Sequence, residues 1–171
     1  YKFNKNNSLD VLFFGDSHAQ QFQPLSEKIN SIGLNSGFLT GGGCPPIPNL
    51  FDDLHPHCLN LFDKFYEELK QEKNIKTIFI AGCFNCYFIL QSKSKPDPGD
   101  KYNYYYQDNN EKLFFRTGKG QSEAVLSLNY FIEHLAKNFE VVLIGDNPMS
   151  ENFDPKIIMS YEKRGNSNLF K

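Results

Sequence analysis

The sequence predicts an α/β protein with a mainly parallel sheet covered by helices on both faces. Three observations point there. Four strand-like runs, LDVLFFG (9–15), SGFLTGGG (36–43), KTIFIAG (76–82) and FEVVLIGDNP (139–148), each run into glycine. Their centres, VLFF in the first, IFIA in the third and VVLI in the fourth, are apolar, as expected of strands buried on both faces. Between the runs the apolar residues change to helical spacing, and strands that alternate with helices need the crossover connections of a parallel sheet.

Each element can be justified in chain order. After the first strand, Phe22, Leu25, Ile29 and Ile32 recur at helical spacing and Gly33 supplies a stop. Pro24 predicts a kink or break near residue 23. The second strand leads into three glycines, and CPPIPNLFDDLHPHC (44–58) reads as a proline-rich loop. Leu61, Phe62, Phe65 and Leu69 predict a second helix of about 15 residues. Beyond the third strand, residues 91–120 read as an insertion: a polar stretch, then an aromatic strand, an Asp-Asn-Asn turn and a second strand, forming a hairpin. Its Tyr102–Tyr106 segment suits either packing on the domain or stacking against sugar. Val125, Leu128, Ile132 and Leu135 place a helix over 121–137, ahead of a fourth buried strand. The tail shows no clear period.

At 171 residues, 40% hydrophobic and 22% charged, the chain suits one folded domain with a real core. A net charge of -2 without a basic face argues against nucleic-acid binding. No apolar run approaches the roughly 18 residues that would cross a membrane. Residue 1 is Tyr and no signal peptide opens the chain, so the expectation is a processed protein or part of a longer one.

In parallel sheets the site lies beyond the carboxyl ends of the strands. Here those ends hold Gly15-Asp16-Ser17, Gly41-Gly42-Gly43, Gly82-Cys83-Phe84-Asn85 and Gly145-Asp146-Asn147. Ser17 is the candidate nucleophile, because it stands where a buried strand opens to solvent. Its own N–H starts a helix, where unpaired donors favour a developing oxyanion. The alternative is that Asp16 or Ser17 only caps that helix. A serine hydroxyl also needs a base.

Gly15-Asp16-Ser17-His18 after the first strand resembles the opening block of the SGNH hydrolase superfamily. Taken with GGGCPPIP (41–48) and TIFIAGCFNCYF (77–88), it resembles the SGNH domain of acyltransferase-3 proteins, over roughly residues 9–148. These are bacterial O-acyltransferases of surface polysaccharides, in which a membrane-embedded acyltransferase domain precedes an extracytoplasmic SGNH domain. The resemblance implies a three-layer, SGNH/flavodoxin-like sandwich with one SGNH-like domain over 1–171. It implies that Ser17 takes an acyl group, expected to be acetyl, and passes it to a sugar hydroxyl. Water as acceptor would make the same site an esterase, and loss of the triad would leave a glycan-binding domain. The implied oxyanion donors are the N–H of Ser17, that of Gly43 (Gly42 as second choice) and the side chain of Asn85. The family's Gly-x-Asn-Asp is Gly-Cys-Phe-Asn here, so Asn85 also fits a surface loop. Asp16 and His18 would support the pocket. The implied partners are the membrane-embedded domain and a polysaccharide acceptor, with no cofactor or metal. The implied location is the periplasmic side of the inner membrane, tethered through a segment outside this chain.

The base is the departure from that pattern. The family's Asp-x-x-His lies near the C-terminus, and the expectation is that this chain holds none. The catalytic Asp/His pair is therefore not recognised in this chain, and the expectation is that its segment lies outside it or has been lost. His18 adjoins Ser17, and adjacent helical side chains diverge by about 100°, which makes it a poor base for its neighbour. His134 is expected at the surface. His55 and His57 would reach the site only if the proline-rich loop folded over it, which is not expected.

The resemblance pairs the Cys of Cys-Pro-Pro with a later one, implying a Cys44–Cys58 disulfide and an oxidising compartment. Cys83-Phe84-Asn85-Cys86 is open to several readings: a redox pair, a second disulfide or two partly buried side chains. A zinc site with Cys44, Cys58 or the His55-Pro56-His57 segment is a further reading.

Overall fold

The computed structural model describes residues 8–88, 104–115 and 118–146. The polar stretch 91–100, Tyr102, Asn103, Asn147 and the tail lie outside the described residues. The elements run β1 (Val11–Gly15), α1 (Ser17–Gln20), α2 (Leu25–Ser31), β2 (Ser36–Thr40), β3 (Leu50–Phe51), α3 (Leu61–Gln71) and β4 (Thr77–Ala81). They continue with α4 (Phe84–Phe88), β5 (Tyr105–Asp108), β6 (Glu111–Phe114), α5 (Lys119–Leu135) and β7 (Glu140–Ile144). Pro24 does what its ring requires: residues 21–24 are turn, and α1 and α2 are separate helices.

Four strands form a parallel sheet in the order β2-β1-β4-β7. The chain moves from β1 to one side, then crosses back to the other. Crossovers of constant hand must then lie on opposite faces. The packing agrees: Phe13, Val11 and Phe38 meet Phe22 of the α1–α2 turn and Ile29 of α2 on one face. Leu12, Phe14, Leu39, Ile78 and Ile80 meet Leu61 and Phe65 of α3 and Phe131 and Leu135 of α5 on the other. This is the three-layer sandwich expected, with β1 buried throughout at its centre.

The fourth strand was expected to be buried like the first. β7 is instead half exposed, with Leu143 at 47%. Among the described residues it pairs with β4 alone, so its apolar run covers one neighbour and not two. In α5 the buried positions are Gly120, Ala124, Phe131 and Leu135, and Val125 points outward. An i, i+7, i+11 stripe puts Ala124 on the core side and turns its neighbour away.

The hairpin is present as β5 and β6, joined through Asn109 and Asn110 with φ of 42° and 69°. A two-residue loop with both φ positive is the turn that matches strand twist, and asparagine tolerates it. The proline-rich loop supplies a third strand to this small sheet, β3, which the sequence reading missed because two residues show no period. Tyr104 and Tyr105 are buried, so this part of the aromatic segment packs on the domain.

Gly15 shows how tightly the central strands approach each other at the site edge. It has φ of 150°, and a Cβ there would lie 1.7 Å from the Ala81 carbonyl oxygen. Gly15→Ala should therefore force β1 and β4 apart and cost at least about 3 kcal/mol, lowering Tm by about 10 °C. A melting curve within 2–4 °C of the unsubstituted chain, the shift of roughly 1 kcal/mol, would show that the strands yield there at little cost.

Candidate active site

The carboxyl ends of β1 and β4 sit side by side where the strand order reverses, the place where open α/β sheets bind ligands. Asp16 joins the two ends. Its carboxylate is 2% exposed and accepts the His18 N–H at 2.7 Å, the Cys83 N–H at 2.8 Å and the Tyr87 hydroxyl. It is thus both the cap of α1 and the clamp that holds the β4–α4 turn. Burial and the adjacent Asp16 carboxylate push the Tyr87 hydroxyl far above its ordinary range, so it stays a donor.

Asp16 thus takes the capping role, and Ser17 follows as the first residue of α1, exposed to solvent. His18 is held from behind. Its Nδ1 lies 3.1 Å from Asp146 Oδ1, and the other oxygen of Asp146 accepts the Asn85 N–H at 2.5 Å. Asp146 stands just past β7, so one carboxylate ties three strand ends together. Asn85 lies in the first turn of α4, a helix not anticipated because five residues are too few for a period.

The loop 44–58 folds back over the end of β2, against expectation. Three contacts cause this. Cys44 and Cys58 are disulfide-bonded, with Cα atoms 5.3 Å apart. His57 Nε2 lies 3.0 Å from the Gly42 carbonyl oxygen. On the far side, β3 pairs with β5, while the Tyr105 hydroxyl and Lys112 donate to Asp53 at 3.1 and 2.8 Å. The hairpin therefore braces the loop from outside.

Within the braced loop, Asp52 is 6% exposed and accepts the N–H groups of Leu54 and His55 at 2.8 and 2.7 Å. It also holds His55 Nδ1, at 2.8 Å from Oδ2. Asp52-Asp53-Leu54-His55 is itself an Asp-x-x-His. This corrects the expectation that the chain holds no such spacing: the loop has no period of its own and reads as remote, so nothing local marks its Asp and His as a pair. The imidazole is turned toward Gly43: a Cβ on Gly43 would lie 2.6 Å from His55 Nε2. Gly43 also has φ of 71°, so both backbone and neighbour select glycine.

Two carboxylate-held histidines thus stand at the same sheet edge as the serine: His18 on Asp146 and His55 on Asp52. A carboxylate on Nδ1 fixes the tautomer and presents Nε2 as the proton acceptor, the arrangement a general base needs. His134 is exposed on α5, away from both turns. Cys83 and Cys86 are disulfide-bonded to each other at the β4–α4 turn.

Residues 2–169 match the family model described as SGNH domain (fused to AT3 domains). None of the curated proteins compared matches the chain.

Proposed function

The chain belongs to the family of SGNH domains fused to AT3, or acyltransferase-3, domains, and on that premise we propose that it is a serine acyltransferase domain acting on a surface polysaccharide. Ser17 attacks an acyl donor, expected to be acetyl, and forms an ester on its Oγ. The ester then passes to a sugar hydroxyl, with water as the alternative acceptor. The N–H groups of Ser17 and Gly43 and the side chain of Asn85 would stabilise the tetrahedral oxyanion. Asp16 and His18 hold the pocket around them. Among the described histidines, His55 best fits the base that takes the serine proton, with Asp52 orienting it. The observation that supports this reading is that an exposed serine, a glycine turn and a carboxylate-held imidazole stand at the carboxyl edge of one parallel sheet. The acyl donor would come through the AT3 domain of the same polypeptide, with this domain outside the cytoplasm. Two disulfides among the described residues suit such a location. No described helix is long and apolar enough to cross a membrane.

The test is a covalent one. The chain is incubated with p-nitrophenyl acetate, quenched in acid and digested. Mass spectrometry should find acetyl on the peptide containing Ser17, and on no such peptide from Ser17→Ala. Acetyl confined to lysines or to another serine would refute the assignment.

A further inference from the structure

The β4–α4 turn carries a disulfide beside two further ligand-type side chains. Of the partners the sequence offered for a zinc site at Cys83 and Cys86, the fold sends all elsewhere: Cys44 and Cys58 are bonded to each other, His55 is on Asp52 and His57 is on Gly42. His18 and Asp146 stand in their place. One ring nitrogen of His18, the Cys83 sulfur and one Asp146 oxygen lie within 4.8 Å of one another. They come from three distant parts of the chain, the starts of α1 and α4 and the end of β7.

The spacing fits a tetrahedral ion. With zinc–nitrogen and zinc–oxygen bonds of about 2.05 Å, two such ligands stand about 3.3 Å apart, and with a zinc–sulfur bond of about 2.3 Å the sulfur edges are about 3.6 Å. His18 Nδ1 and Asp146 Oδ1 are already 3.1 Å apart. Both are placed by other bonds: the His18 N–H is on Asp16, and Asp146 Oδ2 is on the Asn85 N–H. The sulfur lies within 4.8 Å of both, and in the structure it is bonded to Cys86.

We propose that Cys83, His18 and Asp146 form a redox-gated site for Zn²⁺, with the Cys83–Cys86 disulfide as its gate. Closed, the disulfide withholds the sulfur. A dithiol reductant opens it: two electrons and two protons convert the disulfide to two thiols, and the dithiol becomes a disulfide. Zn²⁺ then displaces the proton of Cys83, and the thiolate, imidazole and carboxylate bind it with water in the fourth position. Cys86 is partly buried, whereas Cys44 and Cys58 are 1% and 7% exposed, so the gate is the more accessible of the two disulfides at its Cys86 end. Since His18 adjoins Ser17, an ion here would place positive charge beside the candidate nucleophile.

Co²⁺ reports the site, because thiolate ligation gives a charge-transfer band that Zn²⁺ abolishes on displacing it. Cys86→Ser leaves Cys83 as a free thiol, so this variant should bind one Co²⁺ with that band and without reductant. Adding Cys83→Ser, His18→Ala or Asp146→Ala should weaken binding at least about 10-fold. The unsubstituted chain should show no band until treated with a phosphine reductant, which supplies no competing thiol. That arm also covers a Cys86→Ser chain that fails to fold. No band in either reduced form would overturn the proposal. So would a band that survives Cys83→Ser in the phosphine-treated chain, which would place the ion on Cys44, His57 and Cys58, the other such group among the described residues. None of these readouts depends on Ser17 chemistry.

Discussion

Ser17→Ala should lower hydrolysis of p-nitrophenyl acetate by at least about 10³-fold, roughly 4 kcal/mol of transition-state stabilisation, and leave Tm within about 2 °C. The two halves of this expectation have separate causes. The rate falls because the hydroxyl is the atom that forms the ester. The stability holds because Ser17 is exposed, and the cap of α1 is Asp16. Exposed substitutions away from caps and cores stay within about 0.5 kcal/mol. A variant that keeps its rate would move the chemistry to another nucleophile. One that loses rate and fold together would say nothing about catalysis, which is why both quantities are read. His55→Gln should show a comparable rate loss, partly restored by added imidazole. If Ser17→Ala is inactive while His55→Gln is not, the nucleophile stands and the base is elsewhere, with His18→Gln the next variant to measure.

Asp16→Ala should be the most destabilising single change at the site, costing about 3–5 kcal/mol. Its carboxylate is the acceptor for a backbone N–H and a phenol across the β4–α4 turn. Removing it leaves both donors without that acceptor, at about 1–3 kcal/mol each, and removes a helix cap worth about 1 kcal/mol. For a chain of this size that is a Tm lower by about 10 °C or more. Tyr87→Phe is the comparison: it removes one donor and leaves Asp16 with the His18 and Cys83 N–H groups, so about 1–2 kcal/mol is expected. If Asp16→Ala melts no lower than Tyr87→Phe, the carboxylate is not the clamp between β1 and β4.

The same clamp explains why the two cysteine-bearing turns differ. Cys83 donates its N–H to Asp16, so its backbone is held whether or not its sulfur is bonded to Cys86. Cys44 and Cys58 instead close a loop of 14 residues, a link worth about 3 kcal/mol through the entropy of the unfolded chain. One bond is suited to switching and the other to bracing.

What the sequence alone determined is whatever local periodicity encodes. β1 could be read because both faces of it are buried, so VLFF (11–14) is apolar at every position. The break at Pro24 could be read because a proline ring acts within one helical turn. The glycine turns were legible because a glycine ends each strand-like run, although the Ala81 and His55 atoms that crowd Gly15 and Gly43 come from the fold. The tertiary structure alone decided which polar groups meet. Asp52-x-x-His55 was visible as letters but belonged to a loop with no period. Its place over Gly43 depends on β3 pairing with β5, on the Cys44–Cys58 bond, and on Tyr105 and Lys112 reaching Asp53 from more than 50 positions away. The meeting of His18 with Asp146 spans 128 positions. Burial repeats along a chain and leaves a pattern, whereas a hydrogen bond between distant segments is one contact, made when the sheet brings their ends together.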